Sequence, residues 1–373
     1  MTLLHLTPET ISNDSHKWLL PFKYHESGTV IQFQNDTLYR IPQIIQDTKT
    51  IKQVLGQYYR RFLMGQVLVE NRNLIEVIKE NLHAKCIDRL YDTENKIKRM
   101  TVAALLDFID KKGVQVCLFI THTRDLFIDS DRISEIYELE HLLRTHRNLS
   151  VVLFTSVNIT DKQYIHLRNY ASSLYSHISI YPLYSIADCN RFISYNCTLW
   201  DIVISDTLRE KIIRESGGYL WLIRQVLRYY RDNPKSSSRE LFNHPLLREK
   251  VQAIYNRFTD DEKVVLNAVH TNKYDKIKNY SGVCDYLLKV GFLQNKSGVI
   301  MLGVPLISLA LEAENNLQEI SMQGKEIVIN GRISSHLFTE QEFRILSLLI
   351  QQRNLIVSRE QVADMNPRHC TTT

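Results

Sequence analysis

The chain is poor in glycine, with twelve in 373 residues, and none of them opens the G-x-x-x-x-G-K-[ST] loop whose backbone amides cradle nucleotide phosphates. Only Gly324 is followed by lysine; Glu326 takes the next position, and no glycine stands five residues upstream. The six cysteines are scattered, with no CxxC pair and no Cys/His cluster. That spacing excludes a zinc ribbon and a disulfide scaffold, and points to reduced core thiols. The thirteen histidines are dispersed without H-E-x-x-H, and no G-x-S-x-G elbow accompanies His122 and its hydroxyl neighbours Thr121 and Thr123. No apolar run approaches the ~18–20 residues of a membrane span. Nor does the chain begin with a basic segment followed by an apolar one. A cytoplasmic protein is expected.

What is present is an ordinary globular composition, 44% hydrophobic and 23% charged, long enough for two or three domains. The net charge of +5 is unevenly placed. Between Ile204 and Phe258 eleven Lys/Arg face six Asp/Glu, a surplus equal to that of the whole chain. Clustered cations neutralise phosphates; solvated faces of amphipathic helices give the same count.

The first 200 residues read as α/β. A strand is predicted over Thr29-Val30-Ile31-Gln32-Phe33-Gln34, between Ser27-Gly28 and Asn35-Asp36. Helical periodicity runs from Ile44 to Val69, from Leu74 to Leu90 and from Thr101 to Ile109. Two apolar runs, Val114–Ile120 and Val151–Thr155, are separated by a helix rich in Glu and Leu, the pattern of buried parallel strands. From Ser185 the pattern is helical: Asp206 to Glu215, stopped by Gly217-Gly218, then Tyr219 to Arg231, ended by Asn233-Pro234. Lys235-Ser236-Ser237-Ser238 reads as a linker. Beyond it come helices over Leu246–Arg257, Asp260–His270 and Asp285–Val290, then a hairpin around Lys296-Ser297-Gly298. This is a winged-helix layout.

The order of pieces in residues 100–231 resembles the core of an AAA-type or STAND ATPase. Val114–Thr121 resembles the strand that ends in a Mg²⁺-linked acidic pair. Val151–Ser156 resembles the strand with a polar sensor residue, here Thr155 or Ser156. Ile180-Tyr181-Pro182-Leu183-Tyr184 resembles the connection into a helical lid, and Ser216-Gly217-Gly218-Tyr219-Leu220 the lid's Gly-Gly motif. Where the family has its acidic pair, Ile120 is followed by Thr121-His122-Thr123-Arg124, and Asp125 is the first carboxylate, more economically a helix cap or ion-pair partner. Tyr219, Trp221, Tyr229 and Tyr230 beside Arg224, Arg228 and Arg231 suggest a stacking platform, or packing of the lid.

The last segment, Glu326 to Ala363, carries the most complete local chemistry. Asn330-Gly331 is a type I′ hairpin signal. Thr339 and Glu342 form a capping box with Phe338 and Phe343 as its staple, and Ser358 with Gln361 repeats the pattern. These residues resemble the OmpR/PhoB-type effector domain of bacterial response regulators over fewer than fifty positions. After Ala363 the sequence reads Asp364-Met365-Asn366-Pro367 and ends at Thr373, where that family continues into a recognition helix and wing, so the domain is expected to be partial.

The fold expected is α/β: a P-loop-NTPase-like parallel sheet lacking its phosphate loop, a helical lid, then winged-helix domains. The expected domains are 1–234, with the lid at about 185–234, then 239–316 and 317–373. The resemblances imply a DNA-binding transcription regulator carrying a non-catalytic ATPase-like module: no enzyme, no cofactor, with ATP unexpected. Nucleotide-switch ATPase and protein-interaction scaffold stand as alternatives. Phosphate contacts are expected from Ser358, Arg359 and Arg344, giving weak, non-specific binding of DNA. Protein partners are expected through the ATPase-like module, and no membrane is.

Overall fold

The computed structural model describes residues 17, 19–32, 48–90, 97, 99–315, 320–323, 326–329 and 332–352. Two compact units emerge, Met1–Leu309 and Ala310–Thr373.

The first unit is built on a five-stranded sheet. Its strands are β1 Gly28–Gln32, β2 Phe62–Leu68, β3 Gln115–Thr121, β4 Leu149–Thr155 and β5 Ile178–Tyr181. They lie in the order β2-β3-β4-β1-β5 with every pair parallel. Both apolar runs of the sequence are here: β4 is buried along its whole length and β3 at all but its first residue. Phe22, Phe119 and Phe154 meet as rings across this core. Helices α1 Thr48–Tyr58, α2 Leu74–Leu90, α3 Val102–Lys111, α4 Arg124–Ile128, α5 Ile133–Thr145 and α6 Ile165–Tyr170 link the strands. Thr101 caps α3, accepting from Ala104 N at 3.2 Å.

One expected helix is in part a strand. The periodicity from Ile44 to Val69 continues through Phe62-Leu63, yet Phe62–Leu68 is β2, paired in parallel with β3 along all seven residues. Leu63 and Val67 are buried at strand spacing, and a Cβ on Gly65 would come within 2.2 Å of Asn81 Oδ1. The close seat of α2 on this strand needs a glycine. Tyr58, Phe62 and Leu63 satisfy either period; β3, fifty residues further on, decides.

After β5 come α7 Ile186–Trp200, α8 Asp206–Ser216 and α9 Leu220–Asp232, the helical lid. The expected linker is a helix start: Ser237 forms a capping box with Glu240 at the head of α10 Ser238–Phe242. Helices α11 Pro245–Tyr255, α12 Asp260–His270 and α13 Ser281–Val290 follow, with the hairpin β6 Leu293–Lys296 and β7 Val299–Leu302. Thr259 and Glu262 form the expected capping box on α12. Helix α13 starts four residues earlier than its periodicity suggests.

α14 Ser308–Asn315 follows, starting in the first unit and ending in the second. The second unit has an antiparallel sheet, β8 Ile320–Gln323, β9 Glu326–Ile329 and β10 Arg332–Ile333, and then α15 Glu340–Gln351. Both halves of the Thr339–Glu342 box are formed. The second expected box, Ser358 with Gln361, lies outside the described residues.

Candidate functional site: the carboxyl edge of the sheet

The connections define where a ligand belongs. From β1 the chain crosses to the far edge at β2, returns through β3 to β4, and then passes over β1 to β5. The crossovers therefore diverge between β1 and β4, and in open α/β sheets the crevice outside the carboxyl ends at such a switch point receives the ligand.

Three strand ends meet there. Gln32, the last described residue of β1, is in register with Tyr181 of β5, beside the Ile31–Thr155 pair. It is 2% exposed, and neither its amide oxygen nor its amide nitrogen has a hydrogen-bond partner. A buried primary amide without partners costs free energy, on the order of 1–3 kcal/mol. At the end of β3 the hydroxyl of Thr121 donates to Val67 O (3.4 Å) and that of Thr123 to Phe154 O (2.7 Å), tying β3 to both neighbours. Between them His122 adopts φ +59°, a left-handed conformation that L-residues rarely hold, with Nδ1 3.2 Å from Thr121 Oγ1. Strained backbone of this kind clusters at ligand and switch sites. Thr155, expected as a sensor, accepts from Val157 N at 3.1 Å and so shapes the turn after β4.

The end of β3 carries Thr121 and His122, with no carboxylate before Asp125. Asp125 lies in the first turn of α4; the Arg132 guanidinium, held protonated chiefly by its hydrogen bond to Glu135, feels Asp125 only as a smaller contribution. Arg132 itself closes the outer end of the edge. It donates to Glu70 O and Arg72 O and pairs with Glu135, whose carboxylate also accepts from Leu74 N at 2.6 Å.

Beyond β4 the edge opens into a polar cavity of about 380 Å³ between Asn158–Lys162 and the starts of α12 and α13. Lys162 Nζ spans it to Asp261 Oδ2 at 3.0 Å. Glu262, buried beside it, is pushed up to about 7, chiefly by desolvation, with Asp161 and Asp261 adding to the rise against the hydrogen bonds from Thr259.

The lid aromatics do not form an open platform. Tyr219 is buried, Tyr229 stacks on His244 at 4.1 Å, and Arg224 and Arg231 lie over Trp200 instead. Of the expected phosphate contacts, Arg344 lies on α15 paired with Glu340, while Ser358 and Arg359 fall outside the described residues. Gln32 went unnoticed because nothing in the predicted strand Thr29–Gln34 sets it apart from its polar neighbours; Phe33 and Gln34 lie outside the described residues.

No family model matches the chain, and no curated protein matches it. Solved structures do. The Walker-type ATPase of Pyrococcus abyssi superposes with a TM-score of 0.49 at 10% identity, covering 80% of this chain and 95% of that one. The Aeropyrum pernix ORC1 protein in complex with DNA gives 0.39 at 11% identity, over 82% and 92% of the two chains. The Aeropyrum pernix ORC2 protein, in ADPNP and ADP complexes, gives 0.41 at 10%, over 82% and 93%. At such identities the likeness concerns fold.

These findings correct the expected identity. The matched proteins are ATPases and ORC proteins rather than OmpR/PhoB-type regulators, so the transcription-regulator assignment is withdrawn, together with its non-enzymatic and cofactor-free qualifications. The misreading has a physical source. Capping boxes and an Asn-Gly turn are short-range signals, concentrated in fewer than fifty residues, whereas the sheet order that dominates the molecule is written in pairings between distant strands. Among the described residues no helix is long and apolar enough to cross a membrane.

Proposed function

We propose that the chain is a nucleotide-dependent switch of the ATPase class, with the nucleotide at the carboxyl ends of β1 and β4 and α7–α9 as its lid. The observation that carries this reading is Gln32, an unpartnered amide wholly buried at the switch point. The strained His122, at the end of β3 on the far side of β4, belongs to the same carboxyl edge. A primary amide and threonine hydroxyls suit the neutral hydrogen-bonding parts of a nucleotide. The strand ends do not fit a carboxylate-held Mg²⁺, because Thr121 and His122 stand where the acids would be, and no metal-dependent step is assigned. A thermal melt tests the reading: a ligand at a hundred times its Kd stabilises by about 2.7 kcal/mol. ATP with Mg²⁺ and ATP with a chelator should both raise the melting temperature. Unchanged melting with either, up to millimolar ATP, would sink the proposal. Phosphate release in the same samples measures turnover separately.

DNA is the macromolecular partner we propose, on the strength of the basic surplus between Ile204 and Phe258, with Arg344, Ser358 and Arg359 as further phosphate contacts. A reducing, cytoplasmic setting is supported by Cys86, Cys117, Cys189, Cys197 and Cys284, all buried and none in a disulfide. Domain limits at 1–234, 239–316 and 317–373 are part of the same proposal.

A further inference from the structure

The winged-helix part of the first unit, α12, α13 and the β6–β7 hairpin, meets its surroundings in two unlike ways. Towards the lid the contact is backbone on backbone. A Cβ on Gly217, at the turn between α8 and α9, would lie 2.0 Å from Gly303 O, just past β7. One on Gly218 would lie 2.3 Å from Tyr184 O, in the connection from β5 to α7. Distances this short admit glycine alone. Hydrogen bonds tie the connection to both sides: Tyr184 N donates to Gly218 O of the lid at 3.1 Å and Leu183 N to Val290 O of α13 at 2.8 Å, while Gly303 N to Phe292 O at 2.7 Å closes the wing itself. Tyr219 of the lid lies against Phe292, which sits edge-on to Phe258.

Towards the sheet, α13 touches the edge strand β5 beside the Leu183 junction, and beyond that the contact is open. The cavity of about 380 Å³ separates Asn158–Lys162 from the starts of α12 and α13, and the Lys162–Asp261 pair bridges it. Lys162 is 82% exposed, so solvent screens the pair and its hold is weak.

We infer that the lid and the winged helix form one rigid body that pivots on Leu183-Tyr184, opening and closing at the Lys162–Asp261 side. Dense backbone packing moves as a unit, whereas a solvated cavity with one exposed ion pair gives way first. Such a pivot carries a change at the carboxyl edge out to the winged helix. That use of it rests on the nucleotide reading above, but the pivot itself does not.

The test needs no nucleotide, so its outcome is independent of whether one binds. Spin labels placed by cysteine substitution at exposed Val203 and Val299 report the distance between lid and wing. Labels at Tyr137 and Val299 report the distance between sheet layer and wing. A Cys370→Ser background leaves the buried thiols in place. In Lys162→Ala the distribution from sheet layer to wing should broaden at least twofold, while that from lid to wing stays as narrow as in the parent. Broadening of both, or of neither, would overturn the inference. Gly303→Ala should broaden the distance from lid to wing; a folded Gly303→Ala protein with that distance unchanged would overturn it too. If Gly303→Ala fails to fold, the Lys162→Ala comparison decides alone.

Discussion

Gln32 and Glu262 are buried polar side chains whose burial carries a cost. For Gln32 the sign of the consequence is unusual. Replacing a buried, unpartnered amide by an apolar group of similar length removes a desolvation cost. Gln32→Leu should therefore stabilise the ligand-free protein by about 1 kcal/mol in urea unfolding, while abolishing any melting shift with ATP. A destabilised Gln32→Leu would show that the amide already has a partner. Glu262 titrates from about 7 when folded, against an ordinary glutamate range near 4.5. Its folded carboxyl binds its proton more tightly than the unfolded one, so stability is lost as pH rises from about 4.5 through about 7, and the penalty is full above that. The groups around it are Asp161, Asp261, Tyr164 and Tyr286. Glu262→Gln keeps a capping-box residue and removes the charge. It should flatten the stability profile between pH 4.5 and 7 and gain on the order of 2 kcal/mol at pH 8. A variant with the parent's pH profile would place the titration elsewhere.

Elements were legible wherever their stabilisation is local. The start of α15 follows from the Thr339–Glu342 box, and that of α12 from Thr259–Glu262; both boxes form. Thr339→Ala should cost roughly 0.5–2 kcal/mol of local stability, seen as faster hydrogen exchange across Gln341–Leu349. Unaltered exchange there would mean that the cap does not govern this helix. Strands β3 and β4 announced themselves as apolar runs. β2 did not, because its residues satisfy helical periodicity and only pairing with β3 selects the extended form. The candidate site was the least legible part. A sheet edge gathers Gln32, Thr121–Thr123 and Thr155 from three separate segments of the chain, and no spacing along the chain records that meeting.

At the scale of the whole molecule, the basic surplus makes a prediction about salt. Duplex DNA of unrelated sequences should bind alike, with Kd on the order of 10⁻⁴–10⁻⁶ M at physiological salt and steep weakening as salt rises. Arg228→Ala, on the exposed side of α9, should reduce the salt slope by about one unit for every duplex. Tight, salt-insensitive binding to one duplex would contradict a phosphate-based contact, and fluorescence anisotropy at three salt concentrations separates the cases. The sheet order also has a consequence during synthesis. β1 is flanked on both sides and buried at all five residues, yet its neighbours are β4 and β5, with Gly28 paired to Val152. At ~5–20 residues per second, the ribosome needs roughly 6–25 s to deliver that partner. Throughout that interval Gly28–Gln32 is an apolar segment with both edges unsatisfied, so the nascent chain should be most dependent on chaperones, and most prone to aggregate, between the emergence of β1 and that of β4.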